Sequence, residues 1–84
     1  MNNAYYNYCK SELEMFESYL TALNNYPNLK QATDVNKLHD YALQRLLGAS
    51  YFAEQSGADS EEVDETYEIF RQKLNKALDN YLAK

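Results

Sequence analysis

Eighty-four residues, with two Gly, one Pro and 45% hydrophobic residues, specify one small helix-rich domain and exclude a disordered tail. Thirteen Asp and Glu against eight Lys and Arg leave a net charge of -5, so the chain lacks the positive footprint that binding to phosphates or to an anionic membrane requires. A chain this short closes one core and has little surface left over to enclose a catalytic cavity.

The first predicted helix runs over about residues 3–24. Tyr5, Cys9, Leu13, Phe16, Leu20 and Leu23 recur at steps of three and four, which is the stripe of an amphipathic helix. Asn2 or Asn3 is the expected cap, because a short polar side chain accepts from the free amides of the first turn. A second apolar stripe (Tyr8, Met15, Tyr19, Ala22, Tyr26) flanks the first. This helix is therefore apolar over about half its circumference and needs two neighbours, or one neighbour and a partner.

Asn24-Asn25-Tyr26-Pro27-Asn28 is the one strong break, since Pro27 restricts the residue before it and Asn tolerates turns. One extra helical turn is expected over Leu29 to Ala32. Thr33 or Asp34 then caps a second long helix over about residues 34–56. Its apolar set is Val35, Leu38, Ala42, Leu46, Ala49 and Ala53, widened by Tyr41 and Phe52. Gly48 in mid-helix points to close helix packing or a mild bend.

Gly57 suits the left-handed position that ends a helix. Asp59 with Glu62 forms a capping-box variant, accompanied by an Ala58–Val63 staple. The third long helix covers about residues 60–82 and carries Val63, Tyr67, Phe70, Leu74, Ala77, Leu78 and Tyr81. Acids crowd its first half and basic residues its second, as the helix dipole favours. There are no strand patterns or repeats. Three helices of similar length and short connections predict an all-α, up-down-up three-helix bundle, with residues 1–84 as a single domain. The alternative is a helical hairpin that completes its core by dimerisation.

Two charges interrupt apolar stripes. Glu12 falls between Tyr5 and Tyr19, and Arg45 between Leu38 and Phe52. Antiparallel pairing sets residues whose numbers sum to about 58 at one level, so Glu12 and Arg45 are expected to meet as a shielded ion pair that fixes register. Leu47 and Tyr51, one turn apart, and Ile69 on the next helix point away from the predicted core and form a candidate interface. Asp59, Glu61, Glu62, Asp64, Glu65 and Glu68 form a candidate acidic contact for a basic protein surface, beside the plainer reading of a solvated helix start.

Catalytic signals are weak. His39 is the lone histidine, at the edge of the apolar face, and is expected to be structural. Cys9 and Ser50 are nucleophiles by residue type alone, and Cys9 in a core stripe is expected to be a buried, inert thiol. No glycine-rich phosphate loop and no metal-ligand spacing is present, so no cofactor and no metal are expected. The Tyr5-Tyr6-Asn7-Tyr8 cluster lacks the basic groove that base stacking uses. One cysteine permits no intramolecular disulfide, and neither a secretory pattern nor an apolar run of about 18 residues occurs, so a reducing, cytoplasmic setting is expected.

These features lead to the expectation of a small acidic, non-enzymatic protein-interaction module. It would bind a protein partner, or itself as a homodimer, through exposed apolar residues with an acidic rim, without direct nucleic-acid or membrane contact. The alternative is a phage-type inhibitor or nucleic-acid mimic that engages a basic protein surface.

Overall fold

The computed structural model describes residues 3–83, with side chains from residue 4 onward. Four helices follow one another, α1 (Asn3–Asn25), α2 (Pro27–Ala32), α3 (Val35–Gln55) and α4 (Ser60–Leu82), and no strand occurs among the described residues. The three long helices all pack on one another, and α2 packs on α1. None of them is long and apolar enough to cross a membrane. The buried core draws side chains from all three long helices.

Side-chain contacts give the directions. Phe16 meets His39 edge to face, and the Tyr5 hydroxyl donates to the Leu46 carbonyl at 2.9 Å, so α1 and α3 run antiparallel. His39 bonds Asn75 across α3 and α4, and Ser60 reaches Glu54 at the opposite end, so these are antiparallel too. Tyr6 packs edge to face on Phe70, with ring centres 5.2 Å apart. The Lys30 ammonium in α2 lies 5.5 Å from the Tyr81 ring, which ties the α1–α2 corner to the far end of α4.

The core is drawn from the expected stripe of each helix, with Leu13, Val35, Leu38, Ala49, Ala53, Tyr67, Ala77 and Tyr81 only partly buried at its margin. Tyr5, Cys9, Phe16 and Leu20 of α1 meet Ala42 and Leu46 of α3 and Val63, Phe70, Leu74 and Leu78 of α4. Burial raises the Cys9 thiol above its ordinary range, which fits an inert side chain. Each of these large side chains contributes about 1.5–3 kcal/mol on burial. Leu43 and Ala58 also pack against the cluster.

The helix ends have local chemical causes. Asp34 caps α3 by accepting from the amides of Asn36 and Lys37. At the other end Gly57 has φ 101°, and the amides of Gly57 and Ala58 reach back to the carbonyls of Glu54 and Ala53. That is a Schellman closure, and it requires the left-handed residue that glycine supplies. Asp59 caps α4 through the Glu61 amide, whereas the capping-box pattern directs this bond to the amide of Glu62. The extra turn begins earlier than Leu29, because Pro27 sits in the first turn of α2, where its missing N–H costs nothing. The cap expected from Asn2 or from the Asn3 side chain lies outside the described residues.

Two expectations about packing are corrected, and a third is answered in part. Tyr41 and Phe52 do not widen the core, being 51% and 74% exposed. Gly48 is exposed, and a Cβ added there meets nothing within 4 Å, so no close helix approach requires it. Tyr8, Met15, Tyr19 and Tyr26 of the second α1 stripe are exposed, and only Ala22 is half-buried. These corrections share one physical reason. α4 covers one side of the α1–α3 pair, and among the described residues only α2, at one end, borders the other.

Candidate interaction surface

The side of α1 and α3 away from α4 carries a run of exposed apolar side chains. It holds two open grooves that meet at Arg45. One is about 590 Å³ and is walled by Met15, Tyr19, Leu29, Leu38 and Tyr41, among others. The second is about 630 Å³ and is walled mainly by Tyr8, Phe52 and small residues of α3, including Gly48 and Ala49. Among the residues lining both, only Glu12 and Arg45 carry charge. Helical spacing produces this. Positions 8, 15, 19 and 22 of α1 and 38, 41, 48 and 52 of α3 repeat at threes and fours, offset by one step from the core stripes.

Glu12 and Arg45 stand at the waist between the grooves. Arg45 Nε donates to Glu12 Oε1 at 2.7 Å and its terminal nitrogen to Oε2 at 3.1 Å, a two-pronged charge-assisted pair. The Glu12 side chain is 8% exposed and that of Arg45 45%. The carboxylate is therefore inside, and the guanidinium forms its lid. The Tyr8 hydroxyl also points to Glu12 Oε1, at 3.4 Å. These bonds hold Arg45 more firmly protonated than usual, against the opposing effect of burial. Burial and the carboxylate beside it raise the Tyr8 hydroxyl above its ordinary range.

The residues singled out from sequence elsewhere are dispersed in role. Leu47, Tyr51 and Ile69 are 51%, 65% and 48% exposed and line neither groove. Of the acidic run, Asp59 is spent on the α4 cap and Glu68 on Arg71, whose Nε lies 2.8 Å from Glu68 Oε1. Glu61, Asp64 and Glu65 are exposed, and Glu62 is half-buried. No group of three or more His, Cys, Asp and Glu placed to hold a metal ion occurs among the described residues.

His39 lies deeper than the edge position its spacing suggests. It is 8% exposed, edge-on to Phe16, and its Nε2–H donates to Asn75 Oδ1 at 2.7 Å. Asp40 lies 3.7 Å from the other ring nitrogen. The ring bridges α3 and α4 inside the fold, away from both grooves. Ser50 donates to the Leu47 carbonyl within its own helix. Neither residue joins Cys9 in a reactive set.

What sequence reasoning missed is the α3 half of the surface. Tyr41 and Phe52 carry an apolar signal, but periodicity alone assigns them to the core margin. The signal that could have located them is Gly48 between them, a small residue on a helix face that needs no close packing. No known family model matches the chain, and neither a curated protein nor a solved structure does.

Proposed function

We propose that this protein is a small, non-enzymatic protein-interaction module of the cytoplasm: a single-domain, up-down-up three-helix bundle that binds through the face of α1 and α3 away from α4. One observation carries this reading. The two grooves adjoin at Arg45, and their mostly apolar lining carries no charge beyond one self-neutralised ion pair. The largest apolar patch on a soluble monomer is typically about 300–600 Å² and is often functional. The six most prominent side chains of the face (Tyr8, Met15, Tyr19, Leu29, Tyr41 and Phe52) are 38–74% exposed. At roughly 200 Å² per large side chain they present on the order of 600 Å². Aromatic rings, Met and an anchored Arg are also the residue types enriched in interface cores. A non-enzymatic role is supported by the chemistry of the lining, whose two charged groups neutralise each other.

Photocrosslinking in the native cell tests the surface directly. A photoreactive amino acid in place of Tyr19 or Tyr41 is expected to yield a protein adduct. The same residue in place of Leu47 or Tyr51 is expected to yield much less. Adducts from positions 47 and 51 alone would move the surface to the α3–α4 side and overturn the proposal.

A further inference from the structure

Resting on that interaction surface, we propose that its occupant is a second copy of this chain, seated about a twofold axis parallel to the helices. Charge supports this occupant. The molecule carries a net charge of -5, yet the lining of both grooves carries one carboxylate and one guanidinium and so no net charge. It has no net charge to draw a strongly basic or acidic partner or to repel an identical face. Area supports it as well. About 600 Å² from each copy gives a pair of about 1,200 Å², the lower bound of specific protein interfaces.

The ion pair selects the axis. A twofold axis crossing the helices at the level where the two grooves meet would set Arg45 of one copy against Arg45 of the other, with like charges juxtaposed at the centre of an apolar contact. An axis along the helices instead sets α1 of each copy over α3 of the other. Arg45 then comes level with the opposite Glu12, and the four charges alternate in sign around the axis. Because α1 and α3 are antiparallel within the chain, each of the four helices around this axis is antiparallel to both neighbours. That is the packing of an antiparallel four-helix bundle. The same operation brings Tyr8 and Phe52 of the two copies together at one end and Met15, Tyr19 and Tyr41 at the other, so apolar groups meet apolar groups throughout.

The axis makes residues on α1 and α3 neighbours across the two chains when they share a level within one chain, as Met15 and Tyr41 do. Purified Met15→Cys and Tyr41→Cys chains, each first shown to keep the wild-type circular dichroism spectrum, are mixed under mild oxidation at micromolar concentration. The expected product is a disulfide-linked pair containing one chain of each variant. Alongside it, the unmodified chain is expected to sediment as a dimer at about 100 µM and to dissociate on dilution. Phe52→Lys, at the most exposed position of the face, is expected to raise the dissociation constant at least tenfold. Efficient linkage of Tyr41→Cys to Gly48→Cys in place of Met15→Cys would mean α3 lies on α3 and would overturn the proposed axis. A wild-type chain that stays monomeric throughout would overturn self-association. In that case photocrosslinks from position 19 or 41 to a different protein would leave the interaction surface itself standing.

Discussion

Two glycines in this chain meet opposite demands, and substituting each with alanine separates them. Gly48 lies in regular helix with open space where a Cβ would sit, so Gly48→Ala is expected to stabilise the fold by about 1 kcal/mol. For a domain of this size that is a rise of roughly 4–8 °C in melting temperature by differential scanning calorimetry. Gly57 at φ 101° closes α3, and Gly57→Ala is expected to cost about 1–2 kcal/mol because an L side chain is strained there. At Glu12 and Arg45 the asymmetry lies in burial. Arg45→Met strands a buried carboxylate, an expected loss of about 1–3 kcal/mol in urea melts. Glu12→Leu combined with Arg45→Met removes both charges and is expected to recover most of it. An Arg45→Met chain that melts higher than wild type with its fold intact would contradict a register role for the pair. The Tyr5 hydroxyl is neutral, buried and bonded to the Leu46 carbonyl. Burial raises its pKa well above that of a free tyrosine. A raised acid contributes stability that is complete below the unfolded pKa of about 10 and is lost as pH climbs above it. Melts between pH 8 and 11 are expected to show that loss, and Tyr5→Phe, about 1 kcal/mol less stable at neutral pH, is expected to show a shallower decline.

At the scale of elements, most of the architecture was legible because its causes are local. The stripe at Tyr5, Cys9, Phe16 and Leu20 follows from helical period alone, and Asp34, Gly57 and Asp59 mark helix ends through bonds to nearby amides or through backbone conformation. Asp34→Ala is accordingly expected to destabilise α3 by about 1 kcal/mol, read as faster hydrogen exchange in its first turn. What stayed illegible depends on the third element. Whether Tyr41 and Phe52 complete a core or face solvent depends on which side of the α1–α3 pair α4 occupies, and helical period is silent on that. The bond from His39 to Asn75 is hidden for a similar reason, since it links residues 36 positions apart through one atom on each side. The level of Glu12 and Arg45 could be read from connection length because antiparallel neighbours share a simple residue sum. For the α1–α3 face, that second α1 stripe was the sequence feature that demanded another neighbour, and among the described residues only Ala22 of it is even half-buried.

At the scale of the whole molecule, Cα extents of 44 × 19 × 16 Å describe a thin rod. A rod exposes much surface for its volume, and here one long side of it is apolar and neutral while acids concentrate at the start of α4. A second copy on that side would thicken the rod into a bundle with twice the core and bring the apolar rings out of water. Because the contact is apolar while each copy carries a net charge of -5, dimerisation is expected to strengthen modestly as salt screens the repulsion between copies. Sedimentation equilibrium of the unmodified chain, Phe52→Lys and Leu47→Lys at matched concentrations is the most direct measurement. The predicted result is a dimer for the unmodified chain and for Leu47→Lys, with Phe52→Lys shifted to monomer and its helix content unchanged. A shift to monomer in Leu47→Lys but not in Phe52→Lys, or a monomer in all three, would contradict it.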